Sequence, residues 1–404
     1  MRKVKIWAFT VVVSFTFVFA SCSKKSQHNE TDIITVDITE QYPKGEAIPL
    51  QDIATVKYIP LETNDEFLCG NDASPAYIDD DIIVFRNDFS DGTILLFDGA
   101  GKTLKRINRK GQSGEEYLNV SQLIYDKERD ELFVNDGAKI QVYDSDGNFK
   151  RTLSYAEDKE YRRIYNFDKD YLLCYYDHAS FVNMAIYEDP IKNLMPSFIL
   201  VSKQTGEKLK GVPIPYEKWI DGFILIDEGS VCSSTIFMYP AVKNGNGFLL
   251  NEISADTIFR LQPDFSTIPV MTRKPSVQKM NPPYFLVSVA ETPHYHFMTS
   301  VKKGDGKSDI FPSRSLMYDK QTGEISEQNF YNADISNKEN LIFGKGDFDV
   351  TNNLHPIGAN RFYIVYDAFR LKEMNENGEL TGQLKEIAAK IDADDNPVVM
   401  VVQF

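Results

Sequence analysis

Residues 94–153 read ILLFDGAGKTLKRINRKGQSGEEYLNVSQLIYDKERDELFVNDGAKIQVYDSDGNFKRTL. This stretch contains one arrangement twice: an apolar run, a short turn rich in aspartate and glycine, and a strand in which apolar and polar residues alternate. The turns are Gly99-Ala100-Gly101 and Ser145-Asp146-Gly147. Glycine accepts the positive φ angles of a tight reversal, and alternation with a period of two buries one face of a strand. Each copy is therefore predicted to be a β-hairpin.

Similar turns recur along the chain. The turn glycines are Gly101, Gly147, Gly206 and Gly323, and the pentapeptide KQTGE occurs twice, at 203–207 and 320–324. The last interval between these glycines is about twice the interval before it, which predicts a further turn near Phe265. Six units of about four short strands fit the region 50–404.

All-strand repeats of this length predict a six-bladed β-propeller with four-stranded blades, and the alternative is a two-domain β-sandwich protein. Five short apolar runs have the length of strands buried on both faces and are predicted to be the inner strands of the blades. They are 82–85, 132–134, 171–175, 248–250 and 362–365. The run 398–402 is predicted to be the last strand, which closes the ring. The only helix predicted with a clear apolar stripe is 384–391.

The composition describes a globular protein rather than a disordered one. The chain has 404 residues, 42% of them hydrophobic, and a formal net charge of -15. Binding to nucleic acid needs a clustered excess of lysine and arginine, so this charge excludes nucleic acid as an expected partner.

The N-terminus is predicted to be a targeting segment. Basic residues precede a mostly apolar run that is too short for a transmembrane helix, and small residues then lead to Cys22. This order resembles a bacterial lipobox, which implies a signal peptide at 1–21, a lipid on Cys22 and a membrane anchor. A plain secretory signal with an incidental cysteine is the alternative. We expect residues 22–49 to form a flexible tether and the propeller to begin at Leu50.

Two resemblances extend this prediction. Residues 132–144 resemble an NHL repeat, so the blades are expected to be NHL-like. Four further stretches resemble signatures of a family of bacterial six-bladed β-propeller lipoproteins with no settled activity: 59–63, 111–117, 256–259 and 394–398. The resemblance implies an outer-membrane lipoprotein. Lys24 and Lys25 replace the acidic residues that related surface-displayed lipoproteins carry after the cysteine, which favours the periplasmic side.

Acidic side chains follow the predicted inner strands and form the candidate ligand face. They are Asp88, Asp136, Asp177, Glu252 and Asp367. Equivalent positions of different blades meet around the axis, so these carboxylates are candidates for a ring at one mouth of the channel. Such a ring could bind Ca²⁺ through oxygen ligands or act as acid and base. Alternatively, each carboxylate caps a turn by accepting bonds from backbone N–H groups.

Other candidate sites are weaker. His294 and His296 would share one face of a strand, but no third metal ligand follows, so no metal site is predicted. Residues 109–115 lack the spacing of a phosphate-binding loop and are expected to connect two blades. Cys69, Cys174 and Cys232 are expected to be small apolar residues of the core rather than a disulfide or metal framework.

The sequence thus predicts a lipid-anchored envelope propeller that binds a protein or carbohydrate on one face of the ring, with no catalytic residue and no cofactor assigned. The first alternative is a metal-dependent enzyme of the lactonase or lyase type that uses the channel mouth. The second is a carbohydrate-binding accessory protein, indicated by the aromatic side chains of Tyr175, Tyr176, Trp219 and Tyr239.

Overall fold

The computed structural model describes residues 33–71, 73–87, 91–156, 160–176, 196–220, 223–227, 230–234, 239–303, 313–343 and 353–404. In these residues the chain forms a six-bladed β-propeller, which confirms the predicted fold class. The blades follow one another along the chain, and each contains an antiparallel sheet of four strands.

The N-terminal elements are β1 (Ile34–Asp37), β2 (Ile48–Pro49), α1 (Leu50–Ile53) and β3 (Thr55–Pro60). Blade 1 consists, from the axis outwards, of β4 (Ser74–Ile78), β5 (Ile82–Arg86), β6 (Thr93–Asp98) and β7 (Thr103–Asn108). Blade 2 consists of β8 (Gln122–Asp126), β9 (Glu131–Asn135), β10 (Lys139–Asp144) and β11 (Phe149–Ser154). Blade 3 consists of β12 (Arg163–Asn166), β13 (Tyr171–Tyr175), β14 (Phe198–Ser202) and β15 (Lys208–Val212).

A separate hairpin of β16 (Phe223–Asp227) and β17 (Ser230–Ser234) precedes blade 4. Blade 4 consists of β18 (Ala241–Asn244), β19 (Gly247–Leu250), β20 (Thr257–Leu261) and β21 (Thr267–Lys274), and a 3-10 helix follows at Val277–Lys279. Blade 5 consists of β22 (Tyr284–Glu291), β23 (Tyr295–Lys302), β24 (Ser313–Asp319) and β25 (Ile325–Glu327). The remaining elements are β26 (Phe330–Tyr331), β27 (Ile342–Phe343), β28 (Asn353–Gly358), β29 (Arg361–Tyr366), α2 (Ala368–Glu376), α3 (Gly382–Ala388) and β30 (Val398–Gln403).

Blade 6 closes the ring, because its strands come from both ends of the chain. Its four main strands from the axis outwards are β28, β29, β30 and β3, and the two-residue β27 pairs in parallel with the free edge of β28. Strand β3 pairs with β30 along its whole length. The side chains of β30 alternate between two cores. Val398, Met400 and Val402 join the apolar cluster of blades 5 and 6, whereas Val399 and Val401 join the cluster of blade 1. The prediction that 398–402 closes the ring is confirmed.

The predicted turns lie where the third strand of a blade reverses into the fourth. Gly101, Gly147, Gly206 and Gly323 all have positive φ angles there, and the turn expected near Phe265 joins β20 to β21. In that turn Phe265 itself takes the positive φ. Together with the turns between first and second strands, these reversals form one face of the ring, which we call the hairpin-turn face. The opposite face, which we call the long-loop face, carries the connections between blades and between second and third strands.

Three details of the sequence prediction are wrong. The five apolar runs predicted as inner strands lie in β5, β9, β13, β19 and β29, each one strand away from the axis. These second strands are apolar because their neighbours bury them on both sides. Ordered chain begins before Leu50, since β1 pairs in parallel with β21 and β2 with β26. The predicted helix 384–391 is observed as α3, but α2 was missed.

The lysine of each KQTGE copy forms hydrogen bonds with residues outside its own turn. Lys203 is fully buried, and its Nζ donates to Asp126 Oδ2 of blade 2 at 2.5 Å and to Asn166 Oδ1 at 2.6 Å. Lys320 does the same within blade 5, donating to Glu291 Oε1 and to the Thr292 carbonyl, both at 2.8 Å. The side chain of Lys320 is 29% exposed, so only Lys203 holds two blades together through a fully buried charge.

We expect removal of β30 by truncation before Asn396 to abolish cooperative unfolding. Burial of its five apolar side chains contributes about 7 to 15 kcal/mol as an upper estimate, which equals the whole net stability of a typical domain. Calorimetry of the truncated chain should show no sharp transition, whereas Leu104→Ser, on an exposed side chain of β7, should melt like the parent. A truncated chain with the parent's transition would contradict the closing role of β30.

We expect Asp126→Ala to lower the free energy of unfolding by about 3 to 5 kcal/mol, because it leaves the Lys203 ammonium buried without its carboxylate. Lys203→Met with Asp126→Leu should cost less than Asp126→Ala alone, since no buried charge remains. Lys320→Met is the matched control in the other KQTGE copy and should cost less than Lys203→Met. Denaturant titrations measure all four values, and equal costs for the two lysines would refute the difference.

Candidate functional site

The central channel is a cavity of the ring with a volume of about 1170 Å³. It is lined by blades 1, 2, 3, 4 and 6, and none of the described residues of blade 5 contributes. The reason lies in the innermost strands: β18 of blade 4 contacts β28 of blade 6, and β22 of blade 5 packs behind β18. The wall of the channel is therefore assembled mainly from the innermost strands of these five blades, which present both polar and apolar side chains to it.

Aromatic and imidazole side chains from three blades form the middle of this wall. The Tyr239 hydroxyl and His355 Nδ1 share a short hydrogen bond, which joins blade 4 to blade 6. The Tyr363 ring stacks on His355 with centroids 5.2 Å apart. The Tyr165 hydroxyl of blade 3 accepts a bond from the Ala241 backbone N–H at 3.4 Å. All four side chains line the channel.

Burial keeps these phenols protonated. It raises the pKa of Tyr363 to about 12 and raises the pKa values of Tyr165 and Tyr239 as well. Desolvation disfavours the phenolate, so at neutral pH the wall presents neutral hydroxyl groups that can donate or accept hydrogen bonds.

Two half-buried arginines lie near the long-loop end of the wall. Arg86 ends β5, and its guanidinium donates to the Ser121 carbonyl at 3.3 Å and to Ser74 Oγ at 3.4 Å. Arg163 begins β12, and its charge lowers the pKa values of Tyr165 and Tyr239 against the larger effect of burial. The guanidinium group of Arg163 is therefore close to both phenols.

A lysine lies near the opposite, hairpin-turn end. Lys243 of β18 donates from Nζ to the Phe167 carbonyl at 3.1 Å, and the same nitrogen lies 4.6 Å from the centroid of the Phe248 ring. Burial lowers the pKa of Lys243 to about 8, and the charge of Asp168 opposes this shift. Both Lys243 and Phe248 line the channel.

The rim of the long-loop face carries exposed apolar side chains, which we call the mouth surface. They are Leu68, Leu118 and Phe369, with 53%, 53% and 67% of their surface exposed. Asn396 fixes the loop that carries Leu68: its side chain donates to the carbonyls of Glu62 and Phe67 and accepts from the Cys69 backbone N–H. Phe369, on the first turn of α2, also lines the channel.

The predicted carboxylates occupy different environments. Asp136 is buried, and its Oδ1 accepts from the backbone N–H groups of Ala138 and Lys139, both at 2.9 Å. Glu252 is buried and accepts from the Ser254 backbone N–H and the Ser197 hydroxyl. Asp367 is exposed at the start of α2 and lines the channel, which Asp136 and Glu252 do not. Asp88 and Asp177 lie outside the described residues.

The two histidines singled out in the sequence do not share an environment. His294 is exposed in a turn, whereas His296 is buried and its Nε2 lies 2.6 Å from Ser288 Oγ. Burial lowers the pKa of His296 to about 4. Among the described residues, no three His, Cys, Asp or Glu side chains are close enough together to hold a metal ion.

The other candidate residues are placed as follows. Residues 109–115 connect β7 to β8, as predicted. Cys174 is buried and Cys69 half-buried, and both are free thiols. Tyr175 and Tyr176 are buried, Trp219 is half-buried, and only Tyr239 of the four predicted aromatic residues lines the channel.

The sequence patterns alone do not single out the wall residues Tyr165, Lys243, His355 and Tyr363. The signal that could have found them is a short strand of mixed polarity directly before each apolar run, such as Arg163-Ile164-Tyr165-Asn166 before β13 and Ala241-Val242-Lys243-Asn244 before β19. Strands of that kind line a solvent-filled axis on one side.

Helices in the described part of the chain are too short or too polar to span a bilayer.

Comparisons with known proteins agree with this architecture. A family described as "Domain of unknown function (DUF4934)" matches residues 33–403. A crystal structure of a provisionally named exported protein from Bacteroides fragilis superposes with a TM-score of 0.60 at 16% identity, covering 92% of this chain and 99% of that one. No curated protein matches the sequence.

Two further solved structures are similar only in outline. A protein of unknown function from Bacteroides thetaiotaomicron gives a TM-score of 0.38 at 10% identity over 87% of this chain and 76% of that chain. Virginiamycin B lyase from Staphylococcus aureus gives a TM-score of 0.34 at 9% identity over 87% and 100%.

Proposed function

The chain belongs to the family described as Domain of unknown function (DUF4934), and we propose that it is a binding module of the bacterial cell envelope that takes its ligand at the long-loop mouth of the channel. The observation that carries this proposal is the wall itself. Residues from three blades converge there, neutral hydroxyl groups and guanidinium groups line one cavity, and the exposed apolar side chain of Phe369 lines it at the long-loop end. A concave, partly apolar site with a few convergent polar groups is the usual form of a ligand site.

The proposal includes a lipid anchor on Cys22 and an outer-membrane position that faces the periplasm. The order of basic, apolar and small residues before Cys22 supports the anchor, and the similarity to an exported Bacteroides fragilis protein supports export. Lys24 and Lys25 support the periplasmic side. Residues 1–32 lie outside the described residues.

A protein or a carbohydrate remains the proposed class of ligand. Tyr239 is the aromatic residue in the channel that supports the carbohydrate alternative, since phenols both stack and donate hydrogen bonds. For a metal-dependent lactonase or lyase, Asp367 is the predicted carboxylate that lines the channel and the residue to test first.

We expect Cys22→Ala to remove the acyl mass from the mature protein and to release it from membranes. The thiol of Cys22 is the attachment point in the proposed anchor, so mass spectrometry and membrane fractionation measure the change directly. Cys69→Ala, at a half-buried cysteine inside the propeller, is the control and should stay in the membrane fraction. An unchanged membrane fraction for Cys22→Ala would refute the anchor and leave a plain secretory signal.

We expect Phe369→Ser to abolish ligand-induced stabilisation while leaving the free protein's melting temperature unchanged, because this exposed side chain contributes nothing to the core. A thermal-shift panel of neutral sugars, organic acids, short peptides and Ca²⁺ identifies the ligand class, and saturation at about 100 times Kd stabilises the native state by about 2.7 kcal/mol.

Leu104→Ser is the matched control for that experiment. Its side chain is 54% exposed, like that of Phe369, but lies on the outer strand of blade 1 away from the channel. Equal losses in the two variants would contradict a site at the mouth. Stoichiometric Ca²⁺ in the purified protein, lost in Asp367→Asn, would favour the metal-dependent enzyme instead.

A further inference from the structure

The Lys243 ammonium group is held in an unusual position for a cation. Within the described residues its polar partner is a neutral group, the Phe167 carbonyl at 3.1 Å, and no carboxylate lies within ion-pair distance of it. Two other lysines of the ring that are at least half-buried do have such a pair: Lys203 with Asp126 and Lys320 with Glu291. Lys243 therefore carries a desolvated charge that no described carboxylate contacts directly, although Asp168 acts on it from a greater distance.

The surroundings of Lys243 belong to the channel rather than to the core. Phe248 lies under its Nζ, and the Tyr165 ring packs against Phe248 with centroids 5.7 Å apart. Lys243, Tyr165 and Phe248 all line the same cavity. A ligand in the channel would thus meet a cation, a phenol hydroxyl and an aromatic surface within one short length of wall.

We propose that Lys243, with Tyr165 against the same Phe248 ring, forms a carboxylate-binding subsite at the hairpin-turn end of the channel, and that it takes the carboxylate of an acidic sugar or of another small organic acid. A carboxylate is the group that best compensates a desolvated ammonium, because it supplies the opposite charge and accepts a charge-assisted hydrogen bond. The inference rests on the proposed use of the channel for ligand binding. It adds a second contact region, at the end opposite the mouth surface.

The size of the cavity admits such a ligand. The innermost strands are four to eight residues long, and those of blades 3 and 4 have four residues each. At roughly 3.3 Å per residue the channel is about 13 Å deep between those blades, enough for one ring that carries a carboxylate. A hexuronic acid and an aromatic acid share this chemistry, so the subsite is defined by the carboxylate, and the experiment separates the two sources.

The subsite should bind its ligand less tightly as the pH rises. With a pKa of about 8, free Lys243 loses its proton between pH 7 and 9, whereas a bound carboxylate raises that pKa. Binding then takes up a proton, so affinity falls about tenfold per pH unit above pH 8.

Other charged and titratable groups around Lys243 are already engaged. Asp168 and Lys203 face it from the turns of blade 3. Asp168 Oδ1 accepts from the backbone N–H groups of Asp170 and Tyr171, and Lys203 is bound to Asp126. Glu291, at the end of the neighbouring β22, is bound to Arg260 and Lys320. His355 on β28 shares a hydrogen bond with Tyr239.

Calorimetric titration of the purified full chain with glucuronate, benzoate and neutral methyl glucoside tests the proposal. We expect one of the two acids to bind and methyl glucoside not to bind. Lys243→Met should lower the affinity about ten- to hundredfold, the range of a charged hydrogen bond. Lys243→Arg should keep binding at pH 7 and lose the decline between pH 7 and 9, because a guanidinium stays protonated there.

Lys385→Met is the matched control, because it removes the same charge from an exposed side chain of α3 that does not line the channel. Its affinity should equal that of the parent. Failure of both acids to bind at millimolar concentration, or equal binding by the parent and Lys243→Met, would overturn the subsite. A ligand from the thermal-shift panel that no longer binds to Phe369→Ser but still binds to Lys243→Met would overturn the subsite while leaving the proposed function intact.

Discussion

The pairing of β3 with β30 is the constraint on which the rest of the structure depends. A blade buries its apolar faces only against its neighbours, so the first and last blades need each other as much as any consecutive pair. Here the connection is made by hydrogen bonds and by side chains of β30 that enter two different cores. Every residue of the channel wall owes its position to this closure, because the wall is shared among blades that are distant in sequence.

The ring is asymmetric at its axis, and the asymmetry shapes the candidate site. Contact between β18 and β28 brings Tyr239 within hydrogen-bond distance of His355 and leaves blade 5 outside the cavity. A symmetric ring would place the same type of strand at each sixth of the wall. Instead, the hydrogen-bonded Tyr239 and His355 lie on the side of blades 4 and 6. The two ends of the cavity also differ: arginines lie near the long loops and Lys243 near the hairpin turns.

The fold could be predicted well from the sequence because its strongest patterns arise from local features, namely tight turns and strand burial. Glycines with positive φ mark the reversals, and second strands buried on both sides appear as apolar runs. The same apolar runs are a poor guide to the axis, because they lie one strand away from it, and of the described acidic residues that follow them only Asp367 lines the channel. The strands that do line the axis mix Arg163, Tyr165 and Lys243 with apolar neighbours. Whether these residues line the channel depends on contacts between blades, and no local sequence pattern indicates such contacts.

The N-terminal segment also covers exposed strand edges, which are a risk for aggregation in any open sheet. The outer strand of a blade leaves a row of unpaired backbone groups, which invites edge-to-edge aggregation. Strands β7, β11 and β15 of blades 1 to 3 carry lysine or arginine along that edge, a common safeguard. Blades 4 and 5 are covered instead by the chain itself, since β1 pairs with β21 and Lys44 bridges to Glu327. One ring thus protects its perimeter in two ways, by charge on one side and by its own leading segment on the other.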